Sequence, residues 1–270
     1  MIYGRRAAYI LVHGTPWSSF NWRHIIPALS QWFTVYYYDL PIFGEKRPVL
    51  LEITKIQFNK VAEEYDFVNT LLNDNSFFMS NLPLQRRRAL DIGCGSGILV
   101  DELSSHFDEV TGIDISDEML EIAKEKRQRS NTSYLNMDAD NLILDGKFDL
   151  IVSRTTFHHL NSIPSVISKM KELLNSSGRI VILDNVSEIE TPATYVYILG
   201  AILEFIPHCR KFGLKNAIRV FKHNTSKSWL EHLSSDKYLS EQGYHDLYGK
   251  LLPNCRFQRL GWAMGVVWEK

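Results

Sequence analysis

The chain has 270 residues, 45% apolar and 23% charged, which is the balance of a globular protein able to bury a core. Its 30 basic and 31 acidic residues nearly cancel, so nothing global draws it to nucleic acid or to an acidic membrane surface. Cys94, Cys209 and Cys255 are odd in number, far apart and without a C-x-x-C pair. That usage argues against a disulfide framework and a zinc site, suits a reducing cytoplasm, and leaves no metal expected.

The N-terminus places two arginines before a short apolar run, with no small-residue cleavage site, and is not expected to be a signal peptide. Residues 8–13 (AYILVH) read as a buried strand, residues 19–32 have helical spacing, and residues 34–38 (TVYYY) read as a second strand. Pro41, Gly44 and Pro48 then break the pattern, and a boundary is expected near residue 50. Residues 55–72 look helical. From Arg88 onward strands and helices alternate, with strands at ALDIG, VTGIDI, TSYLNMD, DLIVSR and RIVILD. The intervening helices fall near residues 99–106, 117–129 and 163–174.

Such alternation builds an α/β fold, a mostly parallel Rossmann-like sheet with helices on both faces. Residues 186–252 are expected to form a mostly helical cap, and residues 256–269 an antiparallel hairpin turning near Gly261. The expected division is therefore a βαβ-like appendage, residues 1–50, and a main domain, residues 51–270. The longest apolar stretch, residues 195–206, carries Glu204 and is too short to span a bilayer, so no membrane span is expected.

Gly93, Gly95 and Gly97 alternate directly after the first strand of the main domain. Glycines there allow a tight turn and close approach of backbone to a ligand, and the following helix N-terminus favours an anionic group. Dinucleotide sites use a similar loop, but G-x-G-x-x-G would need a glycine at Ile98 or Val100. No G-K-[ST] follows, so the phosphate-binding P-loop also fails. Three acids fall at successive strand ends: Asp91, Asp114 and Asp138. Open α/β sheets bind ligands at that edge, where Asp114 is placed to hold ribose hydroxyls and Asp138 to accept from an adenine amine. Taken singly, each acid could equally be a helix cap.

With these motifs in place, residues 58–270 resemble class I S-adenosylmethionine-dependent methyltransferases, in particular the small-molecule group that includes the ubiquinone and menaquinone enzymes. The resemblance implies S-adenosyl-L-methionine as cofactor. It makes Tyr65, in FNKVAEEYD, a lid over it. Asp91, Gly93, Cys94, Gly95 and Gly97 correspond to the glycine motif. Asp114 corresponds to the ribose acid, Ile115 and Met119 to residues that sandwich the adenine, Asp138 and Ala139 to the adenine edge, and Ser153 to a contact with the methionine part. His158 and His159, in RTTFHHL, would lie beside the reaction centre, where either could take a proton from an acceptor. The family often carries H-H-L here, so a packing role is equally open.

Ser153-Arg154-Thr155-Thr156 stands where amino-group methyltransferases of nucleic acids carry an N-P-P-Y-like segment, which leaves a small molecule as the expected acceptor and no nucleic acid as partner. Basic residues of the cap, Arg210, Lys211, Lys215, Arg219, Lys222 and Lys227, could dock an anionic or carrier-bound acceptor or simply be solvated. Two other readings stay open: intramolecular displacement on the cofactor releasing methylthioadenosine, and a non-catalytic cofactor binder.

Residues 9–44 resemble the start of an α/β-hydrolase, through YILVHG, His13-Gly14-Thr15-Pro16 and YYYDLPIFG. No G-x-S-x-G elbow occurs, so no hydrolase activity is expected. The segment is read as packing, a lid or a contact for a homodimer.

Overall fold

In the computed structural model the described residues are 8–12, 34–38, 48–189 and 192–270. Two units separate, Met1–Thr54 and Lys55–Lys270. In the first, β1 (Ala8–Val12) pairs in parallel with β2 (Thr34–Tyr38), from Ala8 opposite Thr34 to Val12 opposite Tyr38. The helix expected at residues 19–32, and most of the hydrolase-like segment, lie outside the described residues.

The second unit is built on seven strands. β3 (Arg88–Ile92) and β6 (Phe148–Arg154) are buried along nearly their whole length, as continuous apolar runs covered on both faces should be. With β4 (Glu109–Asp114), β5 (Thr132–Asn136), β7 (Leu174–Asn185), β8 (Arg256–Leu260) and β9 (Ala263–Glu269), they form one sheet in the order β5-β4-β3-β6-β7-β9-β8. The first five strands in that order are parallel, and β9 runs antiparallel between β7 and β8. β3 lies at the point where the order reverses, so the connections from β3 and β6 leave toward opposite sides and open a crevice at the strands' carboxyl ends.

Helices cover both faces. On one, α5 (Ile163–Leu173) and α9 (Glu241–Leu251) pack Val166, Ile167, Met170, Tyr244 and Tyr248 against Leu90, Ile92, Phe148 and Ile151. On the other, α2 (Ser76–Met79), α3 (Ile98–Leu103) and α4 (Asp117–Arg127) pack Phe77, Phe78, Val100, Leu103 and Leu120 against Ala89, Val110 and Leu150. α4 begins where the Ser116 hydroxyl accepts from Met119 N and ends in Lys124, Lys126 and Arg127, which complement the helix dipole. α1 (Pro48–Leu72) is tied to α4 by Lys55–Asp117 (2.6 Å), Asp66–Arg127 (2.7 Å) and Asp66–Lys126 (2.9 Å).

The cap is α6 (Thr194–Phe212), α7 (Leu214–Asn224) and α8 (Lys227–Leu233), followed by α9. None of the helices among the described residues is long and apolar enough to cross a membrane.

Several boundaries differ from the sequence reading; α1, for one, begins at Pro48 rather than Lys55. α3 stops at Leu103 because Asn131 Nδ2 donates to the carbonyls of Ser104 and Phe107, both at 2.9 Å, and caps the turn. α4 stops at Arg127, where Gln128 turns extended. β7 starts at Leu174 rather than Arg179, because Leu174 already pairs with Phe148 before the register shifts.

Asp149, on β6, is buried and ties three segments. It accepts from Arg87 N (2.8 Å) and Arg88 N (3.2 Å) at the start of β3, and from Asn175 Nδ2 (2.6 Å) in β7. Asp149→Ala leaves those donors without their acceptor, and urea unfolding should show a loss of roughly 2–4 kcal/mol.

Candidate functional site

The chain turns at the carboxyl end of β3 through three left-handed glycines, Gly93 (φ +74°), Gly95 (φ +52°) and Gly97 (φ +82°). At two of them a side chain has no room. A Cβ on Gly93 would stand 2.1 Å from Thr156 Oγ1, and one on Gly97 would stand 2.7 Å from the Tyr134 hydroxyl. Around the loop lies a partly open cavity lined by Tyr65, Asn69, Asn75, Asp91, Gly93, Cys94, Gly95, Arg154 and Thr155, among others.

Of the residues expected here, Tyr65, Asp91, Gly93, Cys94 and Gly95 line this cavity. Asp91 is 1% exposed and its Oδ1 has no hydrogen-bond partner. Burial, followed by repulsion from Asp114, pushes its carboxyl up to about 8, against the pull of Arg154. Asp114, at the end of β4, accepts from Gly95 N (2.8 Å) and Ser116 N (2.9 Å), so its carboxylate ties the glycine loop to the cap of α4. Burial still raises it above the ordinary carboxylate range. Burial likewise raises the Cys94 thiol well above its usual value, which keeps it unreactive. Gly97 stands at the start of α3 and Met119 is buried against Ala62 and Ile122, with Phe58 and Tyr65 packed beside them. Ile115 is half-buried between Asp114 and the Ser116 cap.

Two of the expected residues are tied into the fold itself. Ser153 is completely buried, and its hydroxyl donates to the Ile92 carbonyl at 2.7 Å. It fastens β6 to β3 and does not line the cavity, because side chains alternate along a strand and its neighbour Arg154 faces the other way. Asp138 is engaged locally as well. It caps the short 3-10 turn Ala139–Asn141 by accepting from Asp140 N (2.9 Å) and Asn141 Nδ2 (2.7 Å).

Arg154 was missed. Its Nη1 donates to the Asp74 carbonyl (2.8 Å) and to Asn75 Oδ1 (2.6 Å), which aims the guanidinium into the cavity beside Asp91. The signal available was a lone cation ending a strand otherwise apolar from Leu150 to Val152. Thr155 follows with φ +50°, a left-handed non-glycine residue, held by Thr155 N donating to the Leu183 carbonyl at 2.7 Å.

Past that turn, His158 and His159 enter a second, deeper cluster. His158 Nδ1 lies 2.6 Å from Asp184 Oδ1, and the His158 N–H donates to Asp184 Oδ2 at 2.8 Å. His158 Nε2 faces Asp236 Oδ2 at 3.7 Å, and His159 Nδ1 faces Asp236 Oδ1 at 3.6 Å. His232 and Asp236, both on the cap side, are buried and were also missed, since a histidine and an aspartate four apart read as an ordinary helix pair. Burial works to lower His158, but Asp184 and then Asp236 hold it above its ordinary value. Burial, followed by repulsion from His158 and His232, drives His159 well below its ordinary value. His158 is thus fixed at Nδ1 by Asp184, while its Nε2 stands beyond hydrogen-bond distance of Asp236.

The cavity suits S-adenosylmethionine on its own chemistry. The partnerless buried Asp91 oxygen matches an ammonium, Arg154 matches a carboxylate, and the glycine loop lets the backbone close on a ligand. Residues 90–182 match the family model described as a methyltransferase domain. These residues are thus similar to methyltransferase domains, and the glycine loop falls within them.

Among curated proteins, the malonyl-[acyl-carrier protein] O-methyltransferase of Priestia megaterium is 31% identical over 140 residues, 48% of this chain and 50% of that protein. The ubiquinone biosynthesis O-methyltransferase of Pelagibacter ubique is 31% identical over 155 residues, 56% of this chain and 63% of that protein. The chain thus spans about half the length of the first of these relatives. The solved structure of the DhpI–SAH complex shares the fold, with a TM-score of 0.56 at 14% identity over 81% of this chain and 95% of that one.

The Asp91 shift has a sign that can be checked without ligand. A carboxyl raised on folding binds more protons folded than unfolded, so stability is fully present below about pH 4 and declines until about pH 8. The melting temperature of the ligand-free protein should therefore carry a downward contribution across that window, and Asp91→Asn should flatten it.

Proposed function

We propose that the chain transfers the methyl group of S-adenosylmethionine to an oxygen of a small anionic acceptor. The observation that carries this reading is the opposed pair in the glycine-loop cavity: Asp91, buried with an unpartnered oxygen, and Arg154, fixed by Asp74 and Asn75. Bound there, the cofactor supplies an electrophilic methyl on a sulfonium, so the protein's task is placement and exclusion of water.

In this reading Asp91 takes the amino-acid ammonium and Arg154 the carboxylate. Arg154 is needed because α3, with 6 residues, offers only a short dipole. Asp114 keeps lone pairs for the ribose hydroxyls while its two backbone donors hold the loop. Tyr65 covers the cavity and is itself backed by Trp229, ring centroids 5.4 Å apart. Ile115 and Met119 flank the adenine, with Ala139 at its edge.

An acceptor that arrives already ionised needs no base from the protein. That agrees with the printed names of the two curated relatives, both O-methyltransferases, one acting on a malonyl group held by a carrier protein. Four of the cap cations, Arg210, Lys211, Lys215 and Lys222, are exposed and could meet such a carrier. Arg219 is not available, since it is paired with Glu64 at 2.8 and 2.9 Å.

Two measurements test the reading. Purified protein incubated with labelled cofactor and a panel of free and carrier-bound carboxylates should release S-adenosylhomocysteine. Methylthioadenosine as the product, or no turnover with any carboxylate, would sink it. By calorimetry, Arg154→Gln should weaken cofactor binding about ten- to a hundredfold. Cofactor affinity should also rise from pH 6 toward pH 8 as Asp91 gives up its proton, and Asp91→Asn should abolish that rise.

A further inference from the structure

A second cavity, of about 700 Å³, opens between the end of β7, α6, the end of α8 and the turn joining β8 to β9. Its walls include Val186, Val196, Tyr197, Leu233, Tyr238 and Trp262. We infer that this cavity takes an uncharged, mainly hydrocarbon group, and that the group is part of the methyl acceptor. The second half of this inference rests on the methyl-transfer reading above; the first half does not.

Size and lining fit such a ligand. Pockets for small molecules commonly measure about 300–1,000 Å³ and are lined mostly by apolar side chains. Trp262 is 83% exposed and Val196 41%, so the walls hold apolar surface against water that a hydrocarbon would cover. The charges argue against an anion. Arg259, on the wall, is closed on Glu241 at 2.5 Å. Glu188, also on the wall, accepts from the N–H of Glu241 at 3.3 Å and has no such cation against it. These three groups leave a negative excess, which repels an anionic group.

The helix supplies the space. α6 presents Val196, Tyr197, Gly200 and Ala201 to the cavity, a stripe of helical spacing. At Gly200 an added Cβ would meet no atom within 4 Å. Glycine weakens a helix, and here its missing side chain keeps the cavity open. The walls are held without a ligand. Val186 N donates to the Trp262 carbonyl at 3.0 Å, Ser187 N to the Leu239 carbonyl at 2.9 Å, and the Tyr238 hydroxyl to Asp236 Oδ2 at 2.9 Å. A preformed cavity loses little ordering entropy when it is filled.

A chain of contacts links this cavity to the glycine loop. Asn185 lines it, and Asp184, one residue earlier, holds His158 Nδ1. Asp236, bonded to Tyr238, faces His159 Nδ1 at 3.6 Å. His159 packs on Phe58, ring centroids 5.8 Å apart, and Phe58 packs on Tyr65 at 5.6 Å. Tyr65 in turn lines the glycine-loop cavity. The two cavities thus share a partition of imidazoles and aromatic rings. An acceptor whose hydrocarbon part sits against Tyr238 has its polar end toward that partition, in the direction of the cofactor.

The binding test uses the full chain without cofactor. N-phenylnaphthylamine, a neutral probe that fluoresces on leaving water, should bind at one equivalent per chain. Decanol should displace it, and decanedioate, charged at both ends, should not. Gly200→Phe fills the open space on α6 and should weaken probe binding about tenfold or more, with Gly200→Leu intermediate. Gly249→Phe, on α9, is the control: an added Cβ there also meets no atom within 4 Å, but Gly249 is not in the cavity wall, so binding should persist. Circular dichroism confirms that each variant is folded; if Gly200→Phe is not, Gly200→Leu decides. A wild type that binds no probe, binding untouched by the Gly200 variants, or displacement by decanedioate as readily as by decanol would overturn the cavity's assignment.

The link to the acceptor is read in turnover. Lengthening the hydrocarbon part of a carboxylate acceptor should lower KM about three- to fourfold per methylene until the cavity is full, with kcat little changed. Gly200→Phe should remove that dependence. A KM indifferent to chain length, in protein that binds the probe, would overturn the link. Absence of turnover with every carboxylate would instead sink the methyl-transfer reading and the link with it, while the probe still decides what the cavity holds.

Discussion

Buried carboxylates at one rim of the sheet set the terms for everything near the site. Asp91 ends β3, Asp114 ends β4 and Asp184 lies near the end of β7, and the two least exposed, Asp91 and Asp184, are at 1% and 4%. Removing such charges from water is expensive unless positive or donating groups stand against them. Each acid meets a different kind of partner. Asp114 has backbone N–H groups, Asp184 has an imidazole and the N–H of the same residue, and Asp91 has one arginine nearby and an oxygen left over. The rim is therefore graded, from an acid fully occupied by the fold to one that only a ligand completes.

The partners come from the chain leaving β6. Arg154 turns toward the glycine loop and His158 toward β7. β6 is central in the sheet, with β3 on one side and β7 on the other, so its carboxyl end can serve both. The cap then closes over both places, with Trp229 behind Tyr65 and with Asp236 and His232 against the two histidines. Both places are thus oriented by one strand end and covered by the cap.

Much of this was legible in the sequence for a physical reason. Strand alternation, the glycine loop and the acids at Asp91 and Asp114 depend on local pattern, and local pattern is what a sequence displays. Ser153 precedes Arg154 by one residue, and strand alternation, which a motif match does not display, sends its hydroxyl to the Ile92 carbonyl. Asp138 looked like its two counterparts, but a short turn after β5 took both of its oxygens. Arg154 was passed over because a terminal arginine on a strand reads as an exposed one. His232 and Asp236 were beyond reach, since nothing within the cap announces that helix packing will carry them some seventy-five residues back to His158 and His159. The helix α6 offers the opposite lesson, that an apolar run need not be buried: Tyr195 and Leu203 are 71% and 68% exposed.

Thr155 gives the arrangement a further property. It sits in a left-handed conformation between a residue that belongs to the glycine-loop cavity and residues that belong to the imidazole cluster. Five residues, 154–158, thus form two walls, with a strained hinge fixed to β7 in the middle. Their number is therefore locked. One residue more or fewer would swing either the guanidinium or the imidazole off its carboxylate, so this stretch should accept changes of identity far more readily than changes of length.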